Sequence, residues 1–289
     1  MKYCDRQGRR WEETGFQDRL IKALYGCLPG RVLIKCLTFP AVSKLCGRLL
    51  SSGFSAILIK PFVKANHICM DDYISQHYYS YNDFFKRKIR PSKRPINRKT
   101  DVLISPCDGK VSVFPIDRQR RFMIKNSSYT VETLTKSARL AKKYEGGYCV
   151  LIRLTVDDYH RYCYVEDGVK SRNYKIPGCL HTVNPAAVAA VPVYKENARS
   201  FTIIRTKTFG DILQMEVGAL MVGKITNYHG RRRVCRGMEK GCFEFGGSTV
   251  ILLLERDRVA IDRDLLYNTD NDCETVVEMG QQIGKKYKG

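Results

Sequence analysis

The chain has 289 residues, 44% of them hydrophobic, which is enough to bury the core of one large domain or of one domain with a helical appendage. Its 50 lysine and arginine residues outnumber its 29 acidic residues, and the formal charge of +21 predicts anionic partners: nucleic acid, a lipid surface or an acidic small molecule. Twelve cysteines are typical of small disulfide scaffolds, but this chain is too long for that class.

The first residues, "MKYCDRQGRRWEET", lack the continuous apolar segment of a signal peptide. We therefore expect a reducing cytoplasm and free thiols. The chain has no Cys-x-x-Cys pair, and the spacing of His160 and Cys163 has no second pair of ligands beside it. No metal site is predicted.

Residues 1–80 are predicted to form a set of amphipathic helices. Thr14 followed by Gln17 resembles a capping box, and apolar residues then fall on one helical face as far as Leu28. Three further runs, "RVLIKCLTF", "AVSKLCGRLL" and "SAILIKPFVKA", are each interrupted by lysine or arginine. None reaches the roughly eighteen uninterrupted apolar residues of a membrane-spanning helix, so we expect no span.

The same segment is strongly basic, with no acidic residue from Arg19 to Met70. Apolar faces edged with cations suit helices that lie in an anionic membrane interface. The alternative is a helical subdomain packed on the core with a solvated basic rim. The next stretch, "FFKRKIRPSKRPI", suits binding to phosphates of lipid or nucleic acid, and it equally suits a solvated linker.

After residue 100 the pattern changes to short strands separated by turns. The predicted strands are "YCVLIRLTV" at 148–156, "FTIIRTKT" at 201–208, "DILQMEVGALMVGKI" at 211–225 and "STVILLLE" at 248–255. One helix, "TVETLTKSARLAKKY", interrupts them. The predicted class is α+β, with a β-rich catalytic domain at 81–289 preceded by the helical region.

Polar residues collect at the ends of the predicted strands. Asp108 lies in "SPCDGKVS", His160 in "VDDYHRYCY" and His181 in "HTVNP". Singly, each has a plain explanation as a turn former or a half-buried imidazole. Together with Ser248 they supply a hydroxyl nucleophile, an imidazole to take its proton and a carboxylate to orient the imidazole.

The stretch "FEFGGSTVILLLE" places Gly246, Gly247 and Ser248 at the start of a strand. No helix is predicted after the serine, which argues against the Gly-x-Ser-x-Gly nucleophile of an α/β-hydrolase. Glycine has no side chain to block a close approach, so the Ser248 hydroxyl is predicted to attack the carbonyl of Gly247. The resulting ester would eliminate, cut the chain and leave a pyruvoyl group at position 248.

At these residues the chain resembles the phosphatidylserine decarboxylase family, in a variant similar to that of clostridia-like bacteria. The resemblance rests on "FFKRKIRPSKRPI", "SPCDGKV", "DDYHRY", "HTVNP", "VGALMVGKI" and "KGCFEFGGSTVILL", which stand in the family's order. It implies self-cleavage between Gly247 and Ser248 into a large and a small chain, with Asp108 as the orienting carboxylate.

The proton-transfer group is open on the resemblance alone. Many family members have two imidazoles in a Tyr-His-x-x-His segment, whereas this chain has His160 and then Cys163. His160, His181 and the Cys163 thiol are the alternatives. An imidazole titrates near neutrality and an ordinary thiol is mostly protonated at pH 7, so His160 is favoured.

The resemblance also implies the reaction and its setting. The expected reaction is decarboxylation of phosphatidylserine to phosphatidylethanolamine through a covalent pyruvoyl cofactor made from Ser248, with no metal. The expected partners are the lipid substrate, an anionic membrane surface on the cytoplasmic side and a second copy of the chain in a homodimer, with no nucleic acid. The alternatives are a non-catalytic basic binding module and a pyruvoyl decarboxylase for a different amine.

Overall fold

The computed structural model describes residues 2–12, 30, 40–124, 127–183, 193–219, 225–244 and 248–289. The strands in these ranges are β1 (Lys2–Cys4), β2 (Arg10–Glu12), β3 (Val102–Ile104), β4 (Gly109–Pro115), β5 (Arg121–Ile124), β6 (Ser127–Thr130), β7 (Tyr148–Leu154), β8 (Arg161–Cys163), β9 (Gly168–Lys170), β10 (Tyr174–Ile176), β11 (Arg199–Arg205), β12 (Asp211–Val217), β13 (Ile225–Asn227), β14 (Arg232–Val234), β15 (Glu239–Phe243), β16 (Ser248–Leu254), β17 (Val259–Ile261), β18 (Cys273–Val277) and β19 (Gln282–Lys286). The helices are α1 (Pro40–Leu50), α2 (Ile59–Ala65), α3 (Tyr81–Phe85), α4 (Val131–Thr135), α5 (Ala138–Lys143), α6 (Val193–Glu196) and α7 (Arg263–Asp270).

An eleven-stranded sheet forms the centre of the described part. Ten of its strands run in the order β14-β9-β11-β12-β16-β7-β4-β18-β1-β2, and β10 pairs with β11. The neighbours are antiparallel, except that β1 runs parallel to β18. All seven residues of β16 are buried. This explains why its sequence is a continuous apolar run rather than an alternating one.

Three smaller sheets surround the large one: β13-β15-β8, β17-β19-β3 and the hairpin β5-β6. One continuous apolar cluster joins their buried side chains to those of the main sheet. Helix α7 packs on β4 and β18. The α+β class predicted from the sequence is confirmed.

Most of the predicted strands are present with shifted ends. The runs predicted at 148–156, 201–208 and 248–255 form β7, β11 and β16, whereas the run predicted at 211–225 ends as a strand at Val217. The single helix predicted after residue 129 is instead two, α4 and α5. Lys136 ends α4 in the left-handed conformation at φ 56°, and the Ser137 hydroxyl accepts a hydrogen bond from the Leu140 amide to begin α5.

The helical prediction for residues 1–80 is wrong at the N-terminus, where β1 and β2 join the edge of the main sheet. It is right at α1, at the 3-10 helix Gly53–Leu58 and at α2. The helix predicted from Thr14 to Leu28 and the run at 31–39 lie outside the described residues. In the described ranges every helix is too short or too polar to cross a bilayer.

The expectation that all thiols are free is also wrong. Cys4 and Cys273 form a disulfide with their Cα atoms 6.3 Å apart. The pairing of β1 with β18 brings these residues together across almost the whole length of the chain, a contact that no local sequence pattern indicates. Eight other cysteines within the described ranges are free.

Candidate active site

Three neighbouring central strands, β16, β7 and β4, bring the predicted site residues to the same end of the main sheet. Leu154, the last residue of β7, lies opposite Ser248, the first residue of β16. On the other side of β7, the start of β4 lies beside the same end. Asp108 directly precedes β4 and His160 follows β7 after a short turn, so both lie at the end where β16 begins. Neighbouring strands are separated by about 4.8 Å.

Ser248 is fully buried, and its hydroxyl oxygen has no hydrogen-bond partner among the described residues. A buried polar group without a partner costs about 1–3 kcal/mol. Such a group in a native structure has a specific reason, and a catalytic role is one of them. The predicted cleavage partner Gly247 and its neighbour Gly246 lie outside the described residues.

His160 is buried as a neutral imidazole. Its Nδ1 lies 2.9 Å from the carbonyl oxygen of Asp158 and donates to it, while Nε2 has no partner among the described residues. Its ring lies against that of Phe85, with centroids 4.1 Å apart. Burial, together with the smaller effects of the Arg87 and Lys110 cations, lowers the pKa of His160 to about 3 against the opposing charge of Asp158. The imidazole is therefore uncharged near neutral pH, with its proton on Nδ1 and a lone pair on Nε2.

The backbone of His160 is tied to the strand that leads towards Ser248. The Phe243 amide at the end of β15 donates to the His160 carbonyl at 2.9 Å. Phe243, the last residue of β15, therefore lies beside the backbone of His160.

Asp158 and Lys110 form a buried ion pair that the sequence reasoning missed. The Lys110 ammonium donates to both carboxylate oxygens of Asp158 at 2.8 Å, and the Thr155 amide donates to Oδ2 at 2.7 Å. Burial alone would raise the pKa of Asp158, but Lys110 and the Thr155 amide hold it below its usual value. Asp158 thus closes the turn that presents His160. The only sequence signal was the second aspartate of "VDDYH", two residues before the histidine.

Asp108 is buried and paired with Arg94. Arg94 Nε donates to Oδ1 at 2.8 Å, Arg94 Nη2 to Oδ2 at 2.7 Å, and the Met279 amide to Oδ1 at 2.8 Å. Burial raises the pKa of Asp108, with Arg94 opposing the shift. The described hydrogen bonds of Asp108 therefore go to Arg94 and Met279, and those of His160 go to Asp158.

Arg87, in the basic stretch "FFKRKIRPSKRPI", is fully buried. Its guanidinium carbon lies 4.5 Å from the centroid of the Tyr73 ring, and Nη2 donates to the Asp157 carbonyl at 3.2 Å. This stretch is therefore not simply a solvated linker, because Arg87 and Arg94 turn inwards to support the site.

His181 lies at the same end of the sheet, on the other side of Ser248. The Asn197 side chain accepts from the His181 amide at 2.9 Å and donates to its carbonyl at 2.7 Å and to the carbonyl of Gly218 at 2.7 Å. Gly218 follows β12, whose last residue, Val217, pairs with Thr249. Burial lowers the pKa of His181, with Glu196 opposing the shift.

Cys163 is a buried thiol in β8. Burial raises its pKa to about 12, so it is protonated at neutral pH. Together with Arg94, Tyr159 and Met279 it lines a cavity of about 170 Å³ next to Asp108. Within the described ranges, no group of three potential ligand side chains is placed to hold a metal ion.

Ser248, His160 and His181 lie at the same end of the sheet, and a hydroxyl and imidazoles are the residue types that nucleophilic chemistry uses. The family described as phosphatidylserine decarboxylase matches residues 81–285. The chain is 39% identical over 274 residues to phosphatidylserine decarboxylase proenzyme 2 of Clostridium acetobutylicum, covering 94% of each. It is 38% identical over 296 residues to the phosphatidylserine decarboxylase proenzyme of Clostridium kluyveri, covering 100% of each. It is also 39% identical to the proenzyme of Fusobacterium nucleatum, covering 83% of this chain and 82% of the relative.

The chain belongs to the phosphatidylserine decarboxylase family. The family predicted from the sequence motifs is thereby confirmed, as is the class of enzyme, a carboxy-lyase. The relatives are named as proenzymes, which agrees with a chain that is processed to its active form.

Proposed function

We propose that this chain cleaves its own backbone between Gly247 and Ser248, converts Ser248 into a pyruvoyl group and decarboxylates phosphatidylserine to phosphatidylethanolamine. The observation that carries the proposal is the buried Ser248 hydroxyl, without a partner in the described part of the chain, at the sheet end shared with the neutral imidazole of His160. The family and the names of the relatives support the substrate.

Processing begins when the Ser248 oxygen attacks the carbonyl carbon of Gly247 and loses its proton to a base. The peptide C–N bond breaks as the ester C–O bond forms. Elimination across the Cα and Cβ atoms of Ser248 then releases the Gly247 carboxylate and leaves dehydroalanine at the new terminus. Water hydrolyses this enamine to a ketone and releases ammonia, so the step needs no oxidant or reductant.

His160 is the proposed base for this attack. Its Nδ1 is engaged by the Asp158 carbonyl, which fixes the tautomer and leaves the Nε2 lone pair free for the serine proton. The Lys110–Asp158 ion pair holds the turn that carries the imidazole. Asp108, the orienting carboxylate implied by the family resemblance, lies at the neighbouring strand end, where Arg94 fixes its carboxylate. His181, on the other flank of Ser248, is the second candidate for proton transfer.

The residues around Ser248 fit a pyruvoyl group at this position. The Ser248 hydroxyl forms no hydrogen bond in the described part of the chain, so its conversion to a ketone would break none there. The strand that begins with Ser248 is buried along its whole length. The pyruvoyl group supplies a carbonyl that accepts the electron pair released as carbon dioxide leaves. His160 is the first candidate, and His181 the second, for delivering the proton that replaces the carboxylate on the product.

Intact mass of Ser248→Ala and of the unmodified protein tests the cleavage. The unmodified protein should give a large chain ending at Gly247 and a small chain of residues 248–289 with a blocked amino terminus. Ser248→Ala should remain one chain of about the full 33.2 kDa. Ser112→Ala, which removes a hydroxyl from β4 of the same sheet, is the matched control and should be cleaved normally. Cleavage in Ser248→Ala would refute attack by this serine.

Release of carbon dioxide from phosphatidylserine in vesicles tests the substrate separately. The cleaved protein should release it, whereas Ser248→Ala should not. A cleaved protein that leaves phosphatidylserine intact but decarboxylates another amino acid derivative would support the alternative amine substrate. A protein that binds vesicles, is never cleaved and releases no carbon dioxide would support the binding-module alternative.

The described helices before residue 66 carry a surface that suits an anionic membrane. The exposed apolar side chains there include those of Leu49, Phe54 and Ile57, with Phe54 93% exposed and Ile57 79% exposed. Lys60 and Lys64 lie on the adjoining α2. Large exposed apolar side chains beside cations are typical of interfacial membrane binding. We infer that this surface holds the site against its lipid substrate as a peripheral membrane contact on the cytoplasmic side.

Sedimentation with vesicles, in the Ser248→Ala background so that lipid is not consumed, tests this surface. Phe54→Ser with Ile57→Ser should reduce binding to phosphatidylserine-containing vesicles, while Tyr267→Ser, which removes an exposed aromatic ring on α7, should not. Equal binding by both variants would refute the assignment. The homodimer stays a prediction. The mass of the same samples in solution tests it.

A further inference from the structure

The N-terminal strand is joined covalently to the segment that follows the proposed cleavage site. Cys4 ends β1 and Cys273 begins β18, and the two are bonded. The strands run parallel, with Lys2 opposite Cys273 and Cys4 opposite Thr275. Both cysteines are buried, at 0% and 4% exposure, so the bond is shielded from solvent thiols in the folded protein.

We propose that the Cys4–Cys273 disulfide ties the large and small chains together after processing. This inference rests on the proposed function for the existence of two chains. Cys273 is the only cysteine in residues 248–289, and the other eleven lie in residues 1–247. Any disulfide between the two product chains must therefore use Cys273, and the structure assigns Cys4 as its partner.

Contacts that do not involve sulfur place the same two segments together. Arg6 Nη2 lies 2.6 Å from Asp262 Oδ2, and Arg6 Nε lies 2.8 Å from Asp264 Oδ2. Arg6 Nη1 also donates to the Gln282 carbonyl at 2.7 Å. All three partners belong to residues 248–289. The first residues of the large chain thus hold the small chain by ion pairs and strand pairing, and the sulfur atoms meet within that contact.

Formation of the bond is a two-electron oxidation of two thiols, and the oxidant we name is a low-molecular-weight disulfide. The thiolate of one cysteine attacks this disulfide, forms a mixed disulfide and releases one small thiol. The thiolate of the other cysteine then attacks the mixed disulfide, forms the Cys4–Cys273 bond and releases the second small thiol. Two protein thiols are oxidised and one small disulfide is reduced to two thiols.

The bond changes what holds the small chain after cleavage. Without it, the small chain is retained by noncovalent contacts, chiefly β16 between β7 and β12 and β18 beside β4. With it, the chains remain at a high effective concentration even when those contacts are broken. Recovery after denaturation then becomes an intramolecular reaction.

Denaturing gel electrophoresis of the cleaved full-length protein tests the proposal. The protein is folded and processed in the presence of oxidised glutathione, so that Cys4 and Cys273 react before they are buried. Its remaining thiols are then blocked with N-ethylmaleimide, and samples are run with and without reductant. Without reductant we expect one species of about the full 33.2 kDa, which separates into two chains on reduction. Cys4→Ser should give two separate chains in both lanes, while Cys69→Ser, which removes an exposed free thiol, should behave as the unmodified protein.

Two separate chains in the oxidised unmodified protein would overturn the proposal, and so would a cross-link that survives in Cys4→Ser. Peptide mapping of Ser248→Ala distinguishes this failure from failure of the cleavage mechanism, because the uncleaved chain should still yield a peptide pair joining Cys4 to Cys273. Absence of that pair refutes the disulfide whether or not the unmodified protein is cleaved.

Refolding of the cleaved protein from denaturant gives a second, independent measurement. The oxidised form should recover at a rate that is independent of protein concentration. The reduced form should recover about tenfold more slowly after a tenfold dilution, because its chains must meet. A concentration-dependent rate in both forms would contradict a tether.

Discussion

The buried neutral imidazole of His160 makes the stability of the fold depend on pH in a way that one substitution removes. The native pKa of about 3 is far below the ordinary value of 6.5, because burial disfavours the charged ring. The unfolded chain therefore binds a proton at pH values where the native chain does not. The associated stability is complete above pH 6.5 and is lost progressively as the pH falls from 6.5 through the native pKa.

The magnitude follows from the two pKa values. Between about pH 7.5 and about pH 5.5 the unfolded imidazole goes from mostly neutral to mostly protonated, while native His160 stays neutral. The native state should lose about 1.4 kcal/mol over this interval from His160 alone. The result does not depend on the native pKa as long as it lies well below the lower of the two pH values.

Urea unfolding of Ser248→Ala and of Ser248→Ala with His160→Gln measures this loss. The Ser248→Ala background keeps every molecule a single chain, so the free energy of unfolding does not depend on protein concentration. Carboxylates that titrate in this range affect both proteins alike. The His160→Gln variant should therefore lose about 1.4 kcal/mol less than its parent on acidification.

An equal loss in the His160→Gln variant and its parent would show that native His160 takes up a proton, which would refute the reasoning. The same chemistry has a kinetic counterpart. Cleavage of the unmodified precursor should vary less than about twofold over this interval, whereas a base with an ordinary imidazole pKa would slow it by about tenfold.

Lys240 and Glu216 form an ion pair in which neither side chain is exposed. Lys240→Met in the Ser248→Ala background should lower the free energy of unfolding in urea by about 3–5 kcal/mol, because it leaves the Glu216 charge buried without its partner. Adding Glu216→Leu should recover most of the lost stability. A small effect of Lys240→Met would contradict this. Leu252→Ala, in the centre of β16, should lower the free energy of unfolding by about 2–5 kcal/mol in the same assay, because it leaves a cavity in the core. A smaller loss would show that the surrounding side chains move in to fill that cavity. His160→Ala should slow cleavage by at least about 100-fold, and Cys163→Ala should change it little, because its thiol stays protonated; the reverse ranking would identify the thiol as the base.

The sequence by itself determined the long central strands and the family. Uninterrupted apolar runs such as that of β16 are local patterns, and they indicate strands that are buried on both faces. The Gly-Gly-Ser stretch at the start of β16 marked Ser248 as the candidate nucleophile, and "DDYHRY" and "HTVNP" marked the two candidate imidazoles, since each motif lies within a few residues along the chain. Fold class, enzyme class and candidate site residues could all be predicted from such patterns.

The tertiary structure alone decided which residues surround them. Pairing of β1 with β18 joins segments some 270 residues apart, and it turned the N-terminus into a strand and Cys4 into a disulfide partner. No local sequence pattern indicated the pairing of Arg94 with Asp108, of Lys110 with Asp158 or of Asn197 with the His181 backbone. The physical reason is that burial creates these partnerships: a charge or an amide removed from water must find a partner, and strand order determines which one is within reach.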